Sequence, residues 1–272
     1  MSKKGRYKHD LDNLLDEFLD TEDEGKLFEY LISNSNLPGP RGNLELAAAF
    51  ADVVEAYLVK SSERLWKLCL KLIQFPADEA PVNNPKEFLV FCGAFAIGAI
   101  GSVSSVFFEK ALTLLRELSN DARWRVREGV AMGLQKLIER QSQKTLKELE
   151  GWIAENNWLT MRAVAAGVAE PALLRNEQNA RWALELHKKI FAQILATKDR
   201  KSEEFKKLRQ ALGYSVSVVI QAIPKDGFEY VHQLIDSQDA DILWIIKENL
   251  KKSRLTKNFP DEISSINKLL LS

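Results

Sequence analysis

The chain has 272 residues, and 38 Lys and Arg balance 38 Asp and Glu, which gives a formal net charge of zero at pH 7. This balance excludes a simple polyanion-binding tail protein, and an apolar fraction of 46% with only 13 Gly and 8 Pro excludes disordered and collagen-like chains. Two cysteines are too few for a disulfide framework. We therefore expect a globular protein of the reducing cytoplasm.

Apolar residues recur three or four positions apart along most of the chain, in segments such as 46–58, 126–138 and 205–223. This spacing places them on one face of an α-helix, and no segment shows convincingly the period of two that is typical of a strand. The sequence predicts an all-α protein of about a dozen helices joined by short polar turns. The longest interruptions are residues 33–43 and 75–85.

The first interruption contains the string Pro-Gly-Pro-Arg-Gly at residues 38–42. Its two glycines can present backbone amides, and Arg41 adds a positive charge just before a predicted helix, a combination that suits a phosphate or a carboxylate. The alternative is a stiff connection in which the glycines only supply turn geometry. Because loops often carry function, Arg41 is a candidate binding residue.

Residues 88–108 carry no charge, and these 21 residues are long enough to cross a bilayer core of about 30 Å. The glycine and serines at positions 101, 102, 104 and 105 indicate instead that one helix stops and another starts. The flanking residues Glu87 and Glu109 also lack the basic bias of a membrane span. We therefore expect two buried helices and no membrane segment.

A spaced pattern recurs four times in the second half of the chain: an acid or amide, four residues, an apolar residue and then a base. The bases advance by 35, 47 and 38 residues, and in three cases a tryptophan lies within the interval. We expect the polar residue to cap the second helix of a repeated hairpin, the tryptophan to pack between hairpins, and the base to reach an acid of a neighbouring repeat. We call the polar residue and the base of each copy the ladder residues. The four copies contain Asp121 and Arg127, Asn156 and Arg162, Glu203 and Arg209, and Asp241 and Lys247.

This pattern resembles the HEAT repeat, whose second helix commonly begins with Asp, four residues, Val and Arg; Asp121, Val126 and Arg127 match it literally. The resemblance covers residues 104–254, and only less regular helical hairpins are expected over residues 10–101. It implies one α-solenoid domain over residues 1–272, a right-handed α-α superhelix (HEAT/ARM-like) of stacked antiparallel hairpins. HEAT-like folds serve adaptins, nuclear transport receptors and phosphatase scaffolds, and one branch includes DNA alkylation-repair glycosylases.

The resemblance implies a non-catalytic scaffold that presents a concave face to a protein or peptide. The alternative is a nucleic-acid-binding relative of the glycosylases, in which aromatic residues meet a cationic lesion and arginines hold phosphates. No segment matches the catalytic string of those enzymes, so no catalytic residue is assigned. The partner-binding candidates are Arg41, Arg123, Arg125, Trp152, Trp158, Lys251 and Lys252.

Motifs for metals and cofactors are not found in the sequence. The three histidines lie far apart, and no zinc-ligand spacing, hydrolase elbow or phosphate-binding loop is present. We therefore expect no metal and no cofactor. His187 shares a helix face with Ala183 and Ile190, which favours a structural histidine over a catalytic one. Acidic residues concentrate in residues 10–24 and basic ones in 247–257, which is typical of polar end caps.

Overall fold

The computed structural model describes residues 2–198 and 200–270, and that part of the chain is helical and contains no strand. The all-α prediction is thereby confirmed. The helices are α1 (Lys3–Thr21), α2 (Gly25–Ser33), α3 (Leu44–Ile73), α4 (Glu87–Val103), α5 (Ser105–Leu118), α6 (Trp124–Ala154), α7 (Trp158–Val168), α8 (Glu177–Ala196), α9 (Glu203–Ala222), α10 (Pro224–Asp236), α11 (Ala240–Leu250), α12 (Ser253–Thr256) and α13 (Pro260–Leu269), with a 3-10 turn at Leu173–Arg175.

The chain forms two compact units, Met1–Gln141 and Ser142–Ser272. The boundary falls inside α6, where Gln141 leaves helical geometry with φ −134° and ψ 48°. A second break interrupts α3 at Ser61, with φ −162° and ψ 83°. Each unit has its own buried apolar residues, and the single solenoid over residues 1–272 stays a prediction.

Helix α4 is the centre of the first unit, because every residue from Glu87 to Ser102 is buried. It packs against α3 and α5 and against the first half of α6. The helix ends where expected: Ser104 is extended, with φ −125° and ψ 115°, and α5 begins at the next residue. The uncharged segment 88–108 thus contains the buried helix α4 and the first turn of α5. Helix α5 is buried on one face only, since Phe107 and Phe108 are buried and Val106 is exposed. No helix among the described residues has both the length and the apolar character that a membrane crossing requires.

Glycines bring the backbones of α4 and α6 into direct contact. A Cβ placed on Gly98 would lie 2.3 Å from the Cα of Gly133, and a Cβ on Gly129 would lie 2.7 Å from the carbonyl oxygen of Phe91. Distances this short leave no room for a side chain at either crossing. The absence of side chains at these glycines therefore sets the separation of the two helices in the first unit.

In the second unit, α9 lies between α7 and α11 and also packs against α8 and α10. Helices α7, α9 and α11 carry the last three copies of the spaced pattern. Their serial packing within this unit supports the repeat interpretation, whereas a superhelix through the whole chain stays a prediction.

The helix caps differ from the residues that the pattern indicated. Asn156 cannot begin α7, because it is in the left-handed region with φ 56° and closes the preceding turn. In each case a neighbouring side chain accepts the hydrogen bonds of the first-turn amides. The caps are Asn157 for α7, Ser202 for α9 and Asp239 for α11, instead of Asn156, Glu203 and Asp241.

We expect Gly98→Ala to destabilise the first unit by at least about 2 kcal/mol, because the new methyl group meets the backbone of Gly133, which cannot rotate away. The free energy of unfolding, measured by urea denaturation with circular dichroism, checks this. A variant as stable as the wild type would contradict the close contact of α4 and α6.

Gly151→Ala is the matched control, because Gly151 is exposed on α6 and no described atom outside its own helical turn lies within 4 Å of an added Cβ. Alanine is a better helix former than glycine at such a position, so this variant should gain about 0.5 to 1 kcal/mol.

Candidate functional site

The segment that opens α6 carries arginines at three alternate positions, and all three are buried. The residues Arg123, Arg125 and Arg127 are 3%, 4% and 5% exposed. The sequence interpretation of Arg123 and Arg125 as exposed, partner-facing residues is therefore wrong. Burial is tolerated because each guanidinium donates to oxygens within the chain, which replace the lost water.

Arg123 fastens the α3–α4 loop (residues 74–86) to the start of α6. Its Nε and Nη2 donate to Oδ1 and Oδ2 of Asp121 at 2.9 and 2.6 Å, which is the two-pronged geometry that suits a guanidinium. Its Nη1 donates to the carbonyl oxygens of Phe75 and Ala80 at 3.0 and 3.1 Å. One side chain thus holds both ends of a tight turn in this loop.

Arg125 joins α6 to α4 and to the α2–α3 loop (residues 34–43). Its Nη1 donates to Oε2 of Glu87 at 2.9 Å, and its Nη2 donates to the carbonyl oxygen of Gly39 at 2.6 Å. Glu87 is fully buried, and its Oε2 also accepts from the backbone N–H of Asn83 at 2.8 Å. Among the described residues, Nε of Arg125 and Oε1 of Glu87 have no hydrogen-bond partner.

Arg209 reaches an acid of the next copy of the pattern, as predicted for the ladder residues. Its Nη1 donates to Oδ1 of Asp241 at 2.6 Å, and this ion pair links α9 to α11. Arg127 uses Nη1 differently, since it donates to the backbone oxygens of Asp121 and Ala122 and stabilises the turn before its own helix. The same sequence pattern therefore supports different contacts in different copies.

The other ladder residues lie closer to the surface. Arg162 is half-buried on α7, and Lys247 is exposed on α11. Glu203 is exposed, and its Oε1 accepts from Nζ of Lys206 on the same helix at 2.7 Å. These residues do not gather into one site.

The starts of α3, α4 and α6 and the α2–α3 loop enclose a pocket of about 350 Å³ within the first unit. Phe88 and Phe91 provide stacked rings with centroids 5.7 Å apart. Trp124 and Leu44 are large apolar side chains that stay 41% and 48% exposed. The pocket is lined by Pro40, Arg41, Gly42, Leu44, Phe88, Phe91, Trp124, Arg125 and Glu128.

Trp124 lies over the buried Arg125, with the guanidinium carbon 4.4 Å from the ring centroid. A cation over an indole face is attractive, so this contact favours the orientation of the exposed ring. The expectation that Trp124 packs between hairpins is wrong, because this ring is available at the wall of the pocket. Trp244 in the second unit is also exposed, at 36%, and lies over Arg209 at 4.6 Å.

The α2–α3 loop is held in a defined conformation. Asn36 has a positive φ of 62°, the Leu37–Pro38 peptide bond is cis, and Gly39 donates its N–H to Oδ1 of Asn83 at 2.8 Å. A Cβ on Gly39 would lie 2.5 Å from the carbonyl oxygen of Asn36, so no other residue fits there without a shift. The loop is thus attached to the rest of the first unit at Gly39, and it places Arg41 at the pocket.

The remaining candidates lie in the second unit. Trp152 is 4% exposed, so it is not accessible for the partner binding that the sequence predicted for it. Trp158 is half-buried and packs edge-on against Phe205, with ring centroids 5.3 Å apart. Lys251 is exposed and pairs with Glu248, whereas Lys252 is half-buried.

His187 and Ser215 form a hydrogen-bonded pair in the core of the second unit. Nδ1 of His187 lies 2.7 Å from the carbonyl oxygen of Ala183 and must donate to it, so Nε2 accepts from the Ser215 hydroxyl at 2.8 Å. His187 is 1% exposed and Ser215 is 0% exposed, so this pair has no access to a substrate. Burial lowers the pKa of His187 to about 4, which keeps the ring neutral.

Among residues 2–198 and 200–270, no cluster of three His, Cys, Asp or Glu side chains has the arrangement to hold a metal ion. Cys69 and Cys92 are free and buried, and burial raises the pKa of both thiols. A raised pKa disfavours the thiolate that a nucleophile or a metal ligand needs.

Sequence reasoning missed Glu87, Phe88, Phe91 and Asn83 as parts of a site. The signal for Glu87 is its position, since it is the acid that directly precedes the uncharged segment 88–108. Phe88 and Phe91 look like ordinary core residues in that segment, and Asn83 acts through a left-handed conformation, with φ 69°, that the sequence does not reveal.

Comparison of the chain with protein-family models, with curated proteins and with solved structures finds no match.

Breaking the Arg125–Glu87 pair should cost more than removing both partners. Arg125→Met leaves a buried carboxylate without its cation and should destabilise the protein by about 3 to 5 kcal/mol. Glu87→Met leaves a buried guanidinium without its anion and should destabilise it by a similar amount. The double variant should lose clearly less than the sum of the two single losses. Urea denaturation of the three variants measures the coupling, and additive losses would show that the pair contributes no specific interaction.

The stability of the second unit should fall between pH 6.5 and pH 4 because of His187. Its pKa is about 4 in the folded protein and 6.5, the ordinary histidine value, in the unfolded chain. The unfolded chain therefore binds the extra proton in this interval, and acidification favours unfolding. This group accounts for up to about 3 kcal/mol, fully present above pH 6.5 and lost as the pH approaches 4.

His187→Gln should therefore show a shallower loss of unfolding free energy over this interval than the wild type. At pH 8 the histidine is neutral in both states, so the difference in unfolding free energy between the two proteins gives the cost of changed packing. This difference is subtracted from the values at lower pH. Parallel pH profiles would contradict a buried neutral histidine.

Proposed function

We propose that this chain is a non-catalytic binding protein of the HEAT-repeat type, which engages a protein partner by receiving an apolar side chain in the pocket of the first unit. The repeat pattern supports the scaffold part of this proposal. The pocket supports the binding part, because the large apolar side chains of Trp124 and Leu44 are exposed at its opening.

The observation that carries the proposal is the exposure of Trp124 and Leu44 beside the rings of Phe88 and Phe91. An exposed tryptophan and leucine around an apolar cavity leave apolar surface in water, and a partner that covers them gains its burial at roughly 25 cal/mol per Å². Tryptophan and arginine are also the residues that dominate binding energy at protein interfaces. This pocket contains both types.

The arrangement of the pocket is fixed before any partner arrives. Arg125 and Asn83 bond to Gly39, so the α2–α3 loop is attached to two other segments of the first unit. A site that is already ordered loses less conformational entropy on binding, which raises affinity. Fixed geometry also favours one shape of inserted side chain over others.

The nucleic-acid alternative loses two of the residues on which it depended. Arg123 and Arg125 are buried, and each uses its guanidinium on oxygens of the chain, so neither presents a free charge to a phosphate. Lys251 and Lys252 in the second unit remain as candidates for that alternative. Binding to duplex DNA would require a steep salt dependence from such residues.

A capture experiment from native lysate tests the proposal with a pair of variants. The Leu44→Ser, Trp124→Ala double variant removes the exposed apolar side chains of the pocket and should reduce recovery of the partner at least about tenfold, a loss typical of an interface hot spot. Trp244→Ala is the matched control, because it removes a similarly exposed tryptophan from the second unit, and it should recover the partner as the wild type does.

Circular dichroism should show that both proteins remain folded, since the substituted side chains are partly exposed. A partner recovered equally with the pocket variant would contradict the proposal. Recovery of nucleic acid that is lost when Lys251 and Lys252 are made neutral, and that weakens steeply with salt, would favour the alternative.

A further inference from the structure

We propose that the occupant of the pocket is a peptide segment of the partner in which a bulky apolar residue stands next to an acidic residue. This inference rests on the proposed function and assigns the chemistry of its ligand. The apolar side chain enters the pocket, and the neighbouring carboxylate pairs with Arg41 at the opening.

The size of the pocket selects one large side chain. Ligand pockets are typically about 300 to 1,000 Å³, and this pocket, at about 350 Å³, lies at the small end of that range. Trp124 and Leu44 are the exposed apolar side chains of its lining, whereas Phe88 and Phe91 lie beneath them and are 0% and 2% exposed. An indole and an isobutyl group at the opening favour an aromatic or a large aliphatic group. The remainder of the partner segment then lies across the exposed rim of Leu44 and Arg41.

The charge of the pocket selects the neighbouring residue. Arg125 and Glu87 neutralise one another below the surface, and Glu128 is a half-buried acid of the lining. Arg41 is exposed on the loop and makes no salt bridge with any of the described residues. Its guanidinium is thus the charge that an incoming segment meets without displacing another partner. A basic residue beside the inserted side chain meets the like charge of Arg41, and such contacts discriminate against the wrong partner.

The test uses four soluble ten-residue peptides of Gly and Ser, each with a central pair of residues: Asp-Phe, Lys-Phe, Asp-Leu and Asp-Ala. Equilibrium binding to the full chain is measured by fluorescence anisotropy with the dye on a terminal residue. We expect the Asp-Phe and Asp-Leu peptides to bind more tightly than Asp-Ala, and Asp-Phe to bind about fivefold more tightly than Lys-Phe, the size of effect that a rim ion pair supplies.

Charge reversal should invert the order. Arg41→Glu should bind Lys-Phe more tightly than Asp-Phe, whereas Lys67→Glu, which makes the same change of charge at an exposed position near the end of α3, should keep the wild-type order. The preference for Asp-Phe should also weaken as salt is added.

Two failures can be told apart. If Phe and Leu peptides bind better than Asp-Ala but the Asp and Lys versions bind equally, the acidic requirement is overturned and the pocket remains a binding site. If binding does not depend on the apolar residue at peptide concentrations up to about 1 mM, the proposed function is itself contradicted, together with this inference.

Discussion

The candidate site depends on a constraint imposed by buried charge. Arg125 and Glu87 are both removed from water, so each needs the other and needs further hydrogen bonds to oxygens and amides of the chain. Those further bonds reach Gly39 and Asn83, which lie on two different loops. Satisfying one buried ion pair therefore holds two loops at the same place, and the pocket is the space between the α2–α3 loop and the starts of α3, α4 and α6.

Helix packing makes that ion pair possible. Gly98 and Gly133 allow α4 and α6 to cross almost backbone to backbone, and Gly129 lies against Phe91 nearer the start of each helix. Close approach at these points brings the start of α6 to the start of α4, where Glu87 accepts from Arg125. A larger residue at the crossing would separate the ends of the helices and leave both charges unpaired. Packing, electrostatics and pocket geometry are thus one connected system in the first unit.

The sequence predicts the helices well because their signal is local. Hydrophobic spacing, together with glycine, proline and serine residues, predicts a helix stop near residue 104 and long interruptions at residues 33–43 and 75–85. The structure has the helix stop and both interruptions. The burial of Arg123 and Arg125 cannot be predicted in this way. Charged residues near a helix start are usually solvent-exposed, and only the tertiary structure shows that two loops cover these arginines. Exposure of Trp124 and burial of Trp152 depend on tertiary neighbours in the same manner. Ladder positions such as Arg209 were identified from residue class alone, but their partners differ because each copy has different neighbours.

The most direct test of the account is fluorine NMR of the chain with its six tryptophans replaced by 5-fluorotryptophan, titrated with the Asp-Phe peptide. Loss of one signal in Trp124→Phe assigns the resonance of Trp124, and loss of another in Trp244→Phe assigns the comparably exposed tryptophan of the second unit. The account predicts that the Trp124 resonance shifts with added peptide while the signals of the buried Trp66 and Trp152 and of Trp244 stay in place. A titration that moves Trp244 and leaves Trp124 unchanged would contradict it.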